Sequence, residues 1–441
     1  MQQPAADYRF RTRSSRGGME MKWMNGLRGI GLLATTIIAV SANAADVLVE
    51  NAFLPGAGGA KGEPVTILIS EGRIQAIGAE IIASDAERFD AGGAIVTPGY
   101  IDSGTSVGLS EVSGLGTSRD GRVEEVRNAA GFNVWTALNE GSSLIPFAPT
   151  DGVTRGIITP SVDEANFAGE SAVVRFVKGD AFLAKASLAQ HLYLREWNRR
   201  GAGGSRGHAL QLALADLDEA RRFLDNQPQF RNNQMGPLAQ FTHPAHPSDE
   251  DMRRIMELKA LGRVIKGERL LVVHVDRAAD IRKVVSSFER FEDVKLILAG
   301  GVEAWRLAPM LAERSIPVLL NVLDNVPESF DRLGARLDSA KILDEAGVPI
   351  AFMSTTPYSE FRSLTQAAGV AVANGLPWDR ALRALTEGPA EIWGIEGGRL
   401  AEGEVADLVF WDGDPIEIMS APQAVMIDGR WVDLTTRQQQ L

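Results

Sequence analysis

The chain has no cysteine and only five histidines in 441 residues. Without cysteine it cannot form a disulfide, and thiolate catalysis and cysteine-ligated zinc are excluded. A large core must then stabilise the fold, and a content of 45% hydrophobic and 23% charged residues suits one large domain with a satellite. No G-x-G-x-x-G motif follows the early strand-like segments, which weakens the case for a dinucleotide-binding fold.

The first 44 residues also lack an apolar segment of the roughly 20 residues that cross a bilayer. An uncharged run at residues 29–40 follows six basic residues and precedes Ala42-Asn43-Ala44. This order predicts a secretory signal peptide over residues 1–44, cleaved after Ala44, and hence a periplasmic or secreted protein. An uncleaved anchor is the alternative. The long polar start leaves Met21 or Met24 open as the true initiator.

Positive charge is scarce relative to negative charge. The chain has 45 basic and 57 acidic residues and a net charge of -12. Loss of residues 1–44 removes six basic and two acidic residues and leaves a mature protein at -16. Such a protein should repel nucleic acid and anionic membrane surfaces, so we expect neither as a partner.

Two β-rich segments lie at opposite ends of the mature chain, at residues 45–97 and 398–441. In the first, apolar residues alternate along 65–69 before a Glu71-Gly72 turn, and in the second an Asp428-Gly429 turn follows a short apolar run. Strand, acidic-glycine turn and strand is a pattern typical of hairpins. Because short hairpins cannot bury a face alone, we predict that both ends form one composite β-sandwich.

Residues 98–397 contain short apolar runs that alternate with helical stretches. Four of the runs fall at 270–273, 294–298, 316–320 and 348–352. This alternation is typical of parallel βα units, and about 300 residues of it favour an α/β fold of the (β/α)8 TIM-barrel type over an open doubly wound sheet. Residues 179–247 break the rhythm with a glycine-rich stretch. We predict an insertion there over the barrel mouth, with His191 in one of its helices.

Several landmarks along the chain, taken in order, resemble one family. Val96-Thr97-Pro98-Gly99-Tyr100-Ile101-Asp102 follows the first β segment, Gly152-Val153-Thr154 comes next, and the helical run 381–386 precedes Pro389-Ala390 and the run 406–415. From about residue 46 to residue 434 the chain is similar to amidohydrolases related to imidazolonepropionase and to dihydroorotase-like enzymes. The resemblance implies a hydrolase of carbon-nitrogen bonds other than peptide bonds, with zinc or another divalent metal as its cofactor.

In that family the first barrel strand ends in Asp-x-His-x-His, because residues two apart on a strand can reach the same metal. Gly104 and Ser106 stand at the two histidine positions here. His274 matches the histidine of a later strand, while the following strand ends without a donor. Thr355 stands where the family has the aspartate that accepts a proton. The resemblance thus places Gly104, Ser106, His274 and Thr355 at the barrel mouth, with His274 as the one candidate metal ligand.

The missing ligands leave three functional hypotheses open. One imidazole does not hold zinc, which needs about three protein ligands at a catalytic site. We therefore expect a lost metal site in a protein that is by family a hydrolase. The alternative is a non-catalytic periplasmic protein that binds a small ligand, or that forms a hetero-oligomer with an active paralogue; a homo-oligomer is also open. A rebuilt enzyme with metal-free or single-metal chemistry is the third hypothesis.

A second histidine pair offers an alternative metal site. His243 and His246 could fold over the mouth and join His274. Pro244 and Pro247 explain the shape of this loop without any metal, and for that reason we favour a structural role for it.

Overall fold

The computed structural model describes residues 46–112, 115–124, 126–162, 164–225, 248–324, 326–354 and 361–435. The predicted signal peptide, the loop with His243 and His246, and Thr355 lie outside these residues. Within the described part, no helix is long and apolar enough to span a membrane.

Strands and helices alternate between residues 249 and 373, whereas residues 47–193 consist mainly of strands. The strands are β1 (Val47–Pro55), β2 (Lys61–Ser70), β3 (Arg73–Gly78), β4 (Glu87–Asp90), β5 (Ile95–Pro98), β6 (Tyr100–Thr105), β7 (Val153–Ile158), β8 (Phe167–Glu170), β9 (Ala172–Arg175), β10 (Leu183–Lys185), β11 (Ala189–Tyr193), β12 (Leu270–Val275), β13 (Leu296–Gly300), β14 (Val318–Leu320), β15 (Ile350–Phe352), β16 (Leu408–Trp411), β17 (Pro422–Ile427) and β18 (Arg430–Trp431). The helices are α1 (Phe147–Thr150), α2 (Arg206–Asp225), α3 (Asp249–Ile265), α4 (Ala278–Phe288), α5 (Ala308–Glu313), α6 (Ser339–Glu345), α7 (Arg362–Ala373), α8 (Trp378–Leu385) and α9 (Glu387–Trp393).

The two ends of the chain form one sheet. Its order is β18-β17-β16-β5-β1-β2-β3, and β4 pairs with β1. Both predicted hairpins are confirmed, since β2 pairs antiparallel with β3 and β17 with β18. Their turns use positive φ at Glu71-Gly72 and Asp428-Gly429, as two-residue hairpin turns require. The alternating residues Val65, Ile67 and Ile69 are buried in the core of this sheet.

A six-stranded sheet carries the parallel repeat, in the order β15-β14-β13-β12-β11-β8. The four predicted strand runs correspond to β12, β13, β14 and β15, which pair in parallel, and helices α4, α5 and α6 lie between them in sequence. A second sheet has the order β10-β9-β7-β6, with β6 and β7 parallel. Side chains such as Val272, Ile297, Leu319 and Ala351, which come from four successive strands, share one buried cluster.

The structure corrects the boundary of the predicted insertion. Residues 189–193, which the sequence pattern assigned to the insertion, form β11 and pair in parallel with β12. The predicted helix around His191 is therefore wrong. Gln190 and His191 interrupt the apolar run of this strand, and both are nevertheless fully buried. Residues 206–225 do form a helix, α2, beyond the strand.

Candidate functional site

Two histidines meet on neighbouring strands of the parallel sheet. His191 on β11 and His274 on β12 are both buried, and the register of the two strands sets Tyr193 opposite His274. His191 Nδ1 lies 3.0 Å from His274 Nε2. The ring centroids are 5.3 Å apart. For two nitrogens in contact at 3.0 Å, the centroids are this far apart only when both nitrogens lie near the line that joins the centroids. The two nitrogens therefore point at each other, as in a hydrogen bond.

Burial keeps both imidazoles neutral. It lowers the pKa of His191 to about 3. Burial also lowers the pKa of His274 well below its usual value, and His191 and the positive charge of Arg195 lower it further. Since a neutral imidazole has one donor and one acceptor nitrogen, one ring donates the shared hydrogen bond and the other accepts it.

Tyr193 supports the histidine pair from one side. Its ring stacks on His274 with centroids 3.8 Å apart and planes 4° apart. The Tyr193 hydroxyl donates to the carbonyl oxygen of Pro160 at 2.7 Å, and burial raises its pKa. This hydroxyl is thus held away from acid-base chemistry at neutral pH.

A buried carboxylate lies at the first strand of the second sheet. Asp102 Oδ1 accepts hydrogen bonds from the backbone N–H groups of Gly104 at 3.0 Å and Ser354 at 2.9 Å. Ser354 Oγ also contacts Asp102 Oδ2 and lies 3.2 Å from the carbonyl oxygen of Gly104. Burial raises the pKa of Asp102 to about 7, although the hydrogen bonds from Ser354 and Gly104 oppose the shift.

Arg195 follows β11 and reaches across the end of β13. Its Nε lies 3.3 Å from Asp276 Oδ2, and its Nη2 lies 3.4 Å from the carbonyl oxygen of Ala299. Gly300 makes this path available, because a Cβ there would come within 2.1 Å of Arg195 Nη2. The end of β13, which lacks a histidine donor, is thus covered by the guanidinium of a residue that follows β11.

One cavity of about 310 Å³ lies beside these groups, and Ser354 is part of its lining. Gly104, Ser106 and His274, three of the four predicted barrel-mouth residues, line it together. His191, Tyr193 and Arg195 line it as well, and sequence reasoning missed all three. Several short strands follow one another between β7 and β12. Recognising this succession in the sequence could have identified β11 as a strand and so placed His191 in it.

Comparison with known proteins gives the family of this scaffold. The model of the amidohydrolase family matches residues 248–435. The amidohydrolase tasK of Hapsidospora irregularis is 25% identical over 393 residues, which cover 82% of this chain and 39% of that protein. The chain thus spans about two fifths of the length of this curated relative.

Solved structures share the fold. An amidohydrolase from Thermotoga maritima MSB8 has a TM-score of 0.78 and 23% identity, covering 88% of this chain and 99% of its own. The N-isopropylammelide isopropylaminohydrolase from Burkholderia multivorans ATCC 17616 has a TM-score of 0.50 and 15% identity, covering 88% of this chain and 98% of its own. Residues 248–435 thus match the amidohydrolase family, and the chain is similar to members of the amidohydrolase superfamily. The predicted resemblance is confirmed at this level, and the amidohydrolase fold is TIM-barrel-like.

The donors at this cavity do not fit a catalytic zinc site within the part of the chain that the structure describes. No three His, Cys, Asp or Glu side chains lie close enough there to hold a metal ion. Two nitrogens that ligate one metal converge on a point beside the line between them, whereas those of His191 and His274 face each other. Asp102 already accepts hydrogen bonds from Gly104 and Ser354.

Proposed function

We propose that this protein has lost the catalytic metal site and binds a small molecule at the barrel mouth. The head-on contact of His191 with His274 carries the proposal, because it occupies one nitrogen of each ring with the other ring. Gly104 and Ser106 supply no imidazole at the first strand. A cavity of about 310 Å³ lies at the lower end of the size of ligand sites.

Metal analysis tests this proposal. The purified mature protein, incubated with zinc and then dialysed, should hold no stoichiometric metal by elemental analysis. One zinc per chain that is lost in His274→Ala, but kept in His208→Ala, would overturn the proposal. Zinc that is lost in His243→Ala and His246→Ala as well would support the alternative site that includes the loop. His208 is the matched control, since it lies outside the cavity lining.

A gain-of-ligand variant provides the positive control for the same measurement. A Cβ at Gly104 would meet Met353 at 3.6 Å, which is ordinary van der Waals contact. The backbone therefore accepts a Cβ there, and Gly104→His with Ser106→His and Thr355→Asp would restore the family's donors. We expect this triple variant to bind more zinc than the parent chain.

Hydrolysis of carbon-nitrogen bonds is the second candidate, and similarity to the amidohydrolase superfamily favours it. Hydrolysis of cyclic amides or N-acyl amino acids by the purified protein, abolished in Thr355→Ala, would support a rebuilt enzyme. Absence of turnover together with saturable binding would support the non-catalytic function.

We further propose that the six-stranded sheet and the sheet β10-β9-β7-β6 close into a (β/α)8 barrel. The sheet formed by the two ends of the chain would then fold into a β-sandwich. Strands β8 and β9 are separated by one residue and pair with β11 and β7, one in each sheet. At the opposite edges, the contact of Ser354 with Asp102 supports closure between β15 and β6. A crystal structure with an open edge there would contradict it.

Export and assembly complete the proposal. The mature chain should begin at Ala45, which intact-mass measurement of the protein from the periplasm would test. Recovery from the native host with an intact amidohydrolase would support a partner role, whereas a stable homo-oligomer recovered alone would count against it.

A further inference from the structure

The cavity is positively charged in an acidic protein. Arg119, Arg122 and Arg195 line it, and its described lining contains no Asp or Glu. The whole chain has a net charge of -12, so the amino-acid composition alone would not lead us to expect a positively charged cavity lining. Arg122 is paired with Glu124 at 2.8 Å. Arg195 lies deeper than this pair, with 12% of its side chain exposed.

Arg195 has binding capacity left after its contacts within the protein. A guanidinium has five N–H donors in a planar fork. The contacts of Arg195 with Asp276 and with Ala299 are 3.3 and 3.4 Å long, at or beyond the long end of the usual hydrogen-bond range. Asp276 is also shared with Arg332 at 3.7 Å, and Arg332 contacts Asp324 at 3.0 Å. Asp276 therefore neutralises Arg195 only in part.

Unsatisfied polar atoms in the cavity lining point to a ligand independently of charge. Ser103 Oγ, Ser110 Oγ and His191 Nε2 are buried and have no hydrogen-bond partner among the described residues, and all three residues line the cavity. Their residues are 1%, 6% and 0% exposed. Buried polar groups in native proteins are nearly always hydrogen-bonded, so a bound molecule that pairs with them removes a cost.

We propose that the cavity binds a small molecule with a carboxylate, and that Arg195 is the residue that holds this carboxylate. The proposal rests on the ligand-binding function proposed above and adds the ligand's chemical class. A planar guanidinium matches a carboxylate through two parallel hydrogen bonds. The serine hydroxyls and His191 can pair with an amide group of the same ligand, and the volume suits a molecule the size of an N-acyl amino acid.

Matched probes test the charge requirement. Calorimetric titration would compare N-acetylglycine with N-acetylglycinamide, which has nearly the same size and no charge. We expect the acid to bind at least ten-fold more tightly, and its affinity to fall as salt is raised. Equal binding of both probes would overturn the carboxylate assignment while leaving the ligand-binding function intact. No binding of either probe at millimolar concentration would overturn the assignment too, whereas stoichiometric zinc would overturn only the metal-free function.

Variants test the residue. Arg195→Gln should abolish the preference for the acid, and Arg195→Lys should retain part of it, because lysine keeps the charge without the fork. Arg290→Gln is the control, since Arg290 lies on the surface and pairs with Asp218. Undiminished preference in Arg195→Gln would overturn the proposal. If a thermal scan shows that Arg195→Gln is unfolded, a full preference for the acid in the folded Arg195→Lys would overturn it in the same way.

Discussion

The backbone N–H of Ser354 donates to Asp102 Oδ1 at 2.9 Å, which links the segment after β15 to β6. The Ser354 hydroxyl has two acceptors, Asp102 Oδ2 and the carbonyl oxygen of Gly104. When Asp102 is ionised, the hydroxyl donates to it. When Asp102 is protonated, the carboxyl can donate to Ser354, and the hydroxyl can then turn to Gly104. The protonation state of Asp102 thus sets the direction of the hydrogen bond between Asp102 and the Ser354 hydroxyl.

The raised pKa of Asp102 predicts a loss of stability as pH rises. Its pKa is about 7 in the fold against an ordinary value of 3.8, so the folded state binds more protons between these values. The contribution is fully present below pH 3.8 and is lost by pH 7, with an upper limit of about 4 kcal/mol. The free energy of unfolding of the parent chain minus that of Asp102→Asn should therefore fall between pH 5 and pH 8. Urea unfolding measures both, and a constant difference would contradict the prediction.

The histidine pair predicts the opposite dependence. The pKa of His191 is lowered to about 3 from 6.5, so the unfolded state binds more protons in this window. Stability that is present above pH 6.5 is lost as pH falls to 3, by up to about 5 kcal/mol for this residue. The stability advantage of the parent chain over His191→Asn should shrink from pH 7 to pH 4 in urea unfolding. His208→Asn serves as control, and an equal pH trend in both variants would refute the cause.

The sequence predicted the strands correctly where short apolar runs alternate regularly with helical stretches. Strands β12 to β15 follow one another with helices between them, and each is a short apolar run. Strand β11 was missed because Gln190 and His191 place polar groups in a fully buried strand, a choice that periodicity does not reveal. Both polar atoms of the Gln190 side chain lack a hydrogen-bond partner within the described part of the chain.

The family motif located Gly104, Ser106 and His274, and the cavity unites them. Arg195 could not be located in this way. It reaches the cavity only because Gly300, far along the chain, leaves room for its side chain. Nothing in the local sequence of either residue indicates the other, so this contact required the tertiary structure.

A buried ion pair connects β7 with the sheet that the two ends of the chain form, and we expect it to contribute strongly to stability. Arg155 on β7 contacts Asp407 Oδ2 and Asp428 Oδ1, both at 2.5 Å, and Asp407 is 1% exposed. Asp407→Asn leaves the buried guanidinium short of one partner and should lower the free energy of unfolding by about 3–5 kcal/mol. Glu391→Gln removes a partner of the half-exposed Arg399 and should cost less than about 1 kcal/mol. If urea unfolding gives similar losses of free energy for Asp407→Asn and Glu391→Gln, then burial does not determine how much the Arg155 pair contributes to stability.

Gly300→Ala tests whether the missing side chain at the end of β13 is what admits Arg195. Gly300 has φ +87°, and a Cβ there would come within 2.1 Å of Arg195 Nη2 and 2.3 Å of Asp276 Oδ1. Gly403 is the matched control, with φ +84° and nothing within 4 Å of a Cβ.

Both glycine substitutions cost backbone strain of about 1–2 kcal/mol, since alanine disfavours positive φ. Gly300→Ala must in addition displace the guanidinium. We therefore expect a larger loss of unfolding free energy for Gly300→Ala than for Gly403→Ala, and weaker N-acetylglycine binding in Gly300→Ala alone. Equal losses in both variants, with unchanged binding, would mean that Arg195 reaches the cavity without depending on Gly300.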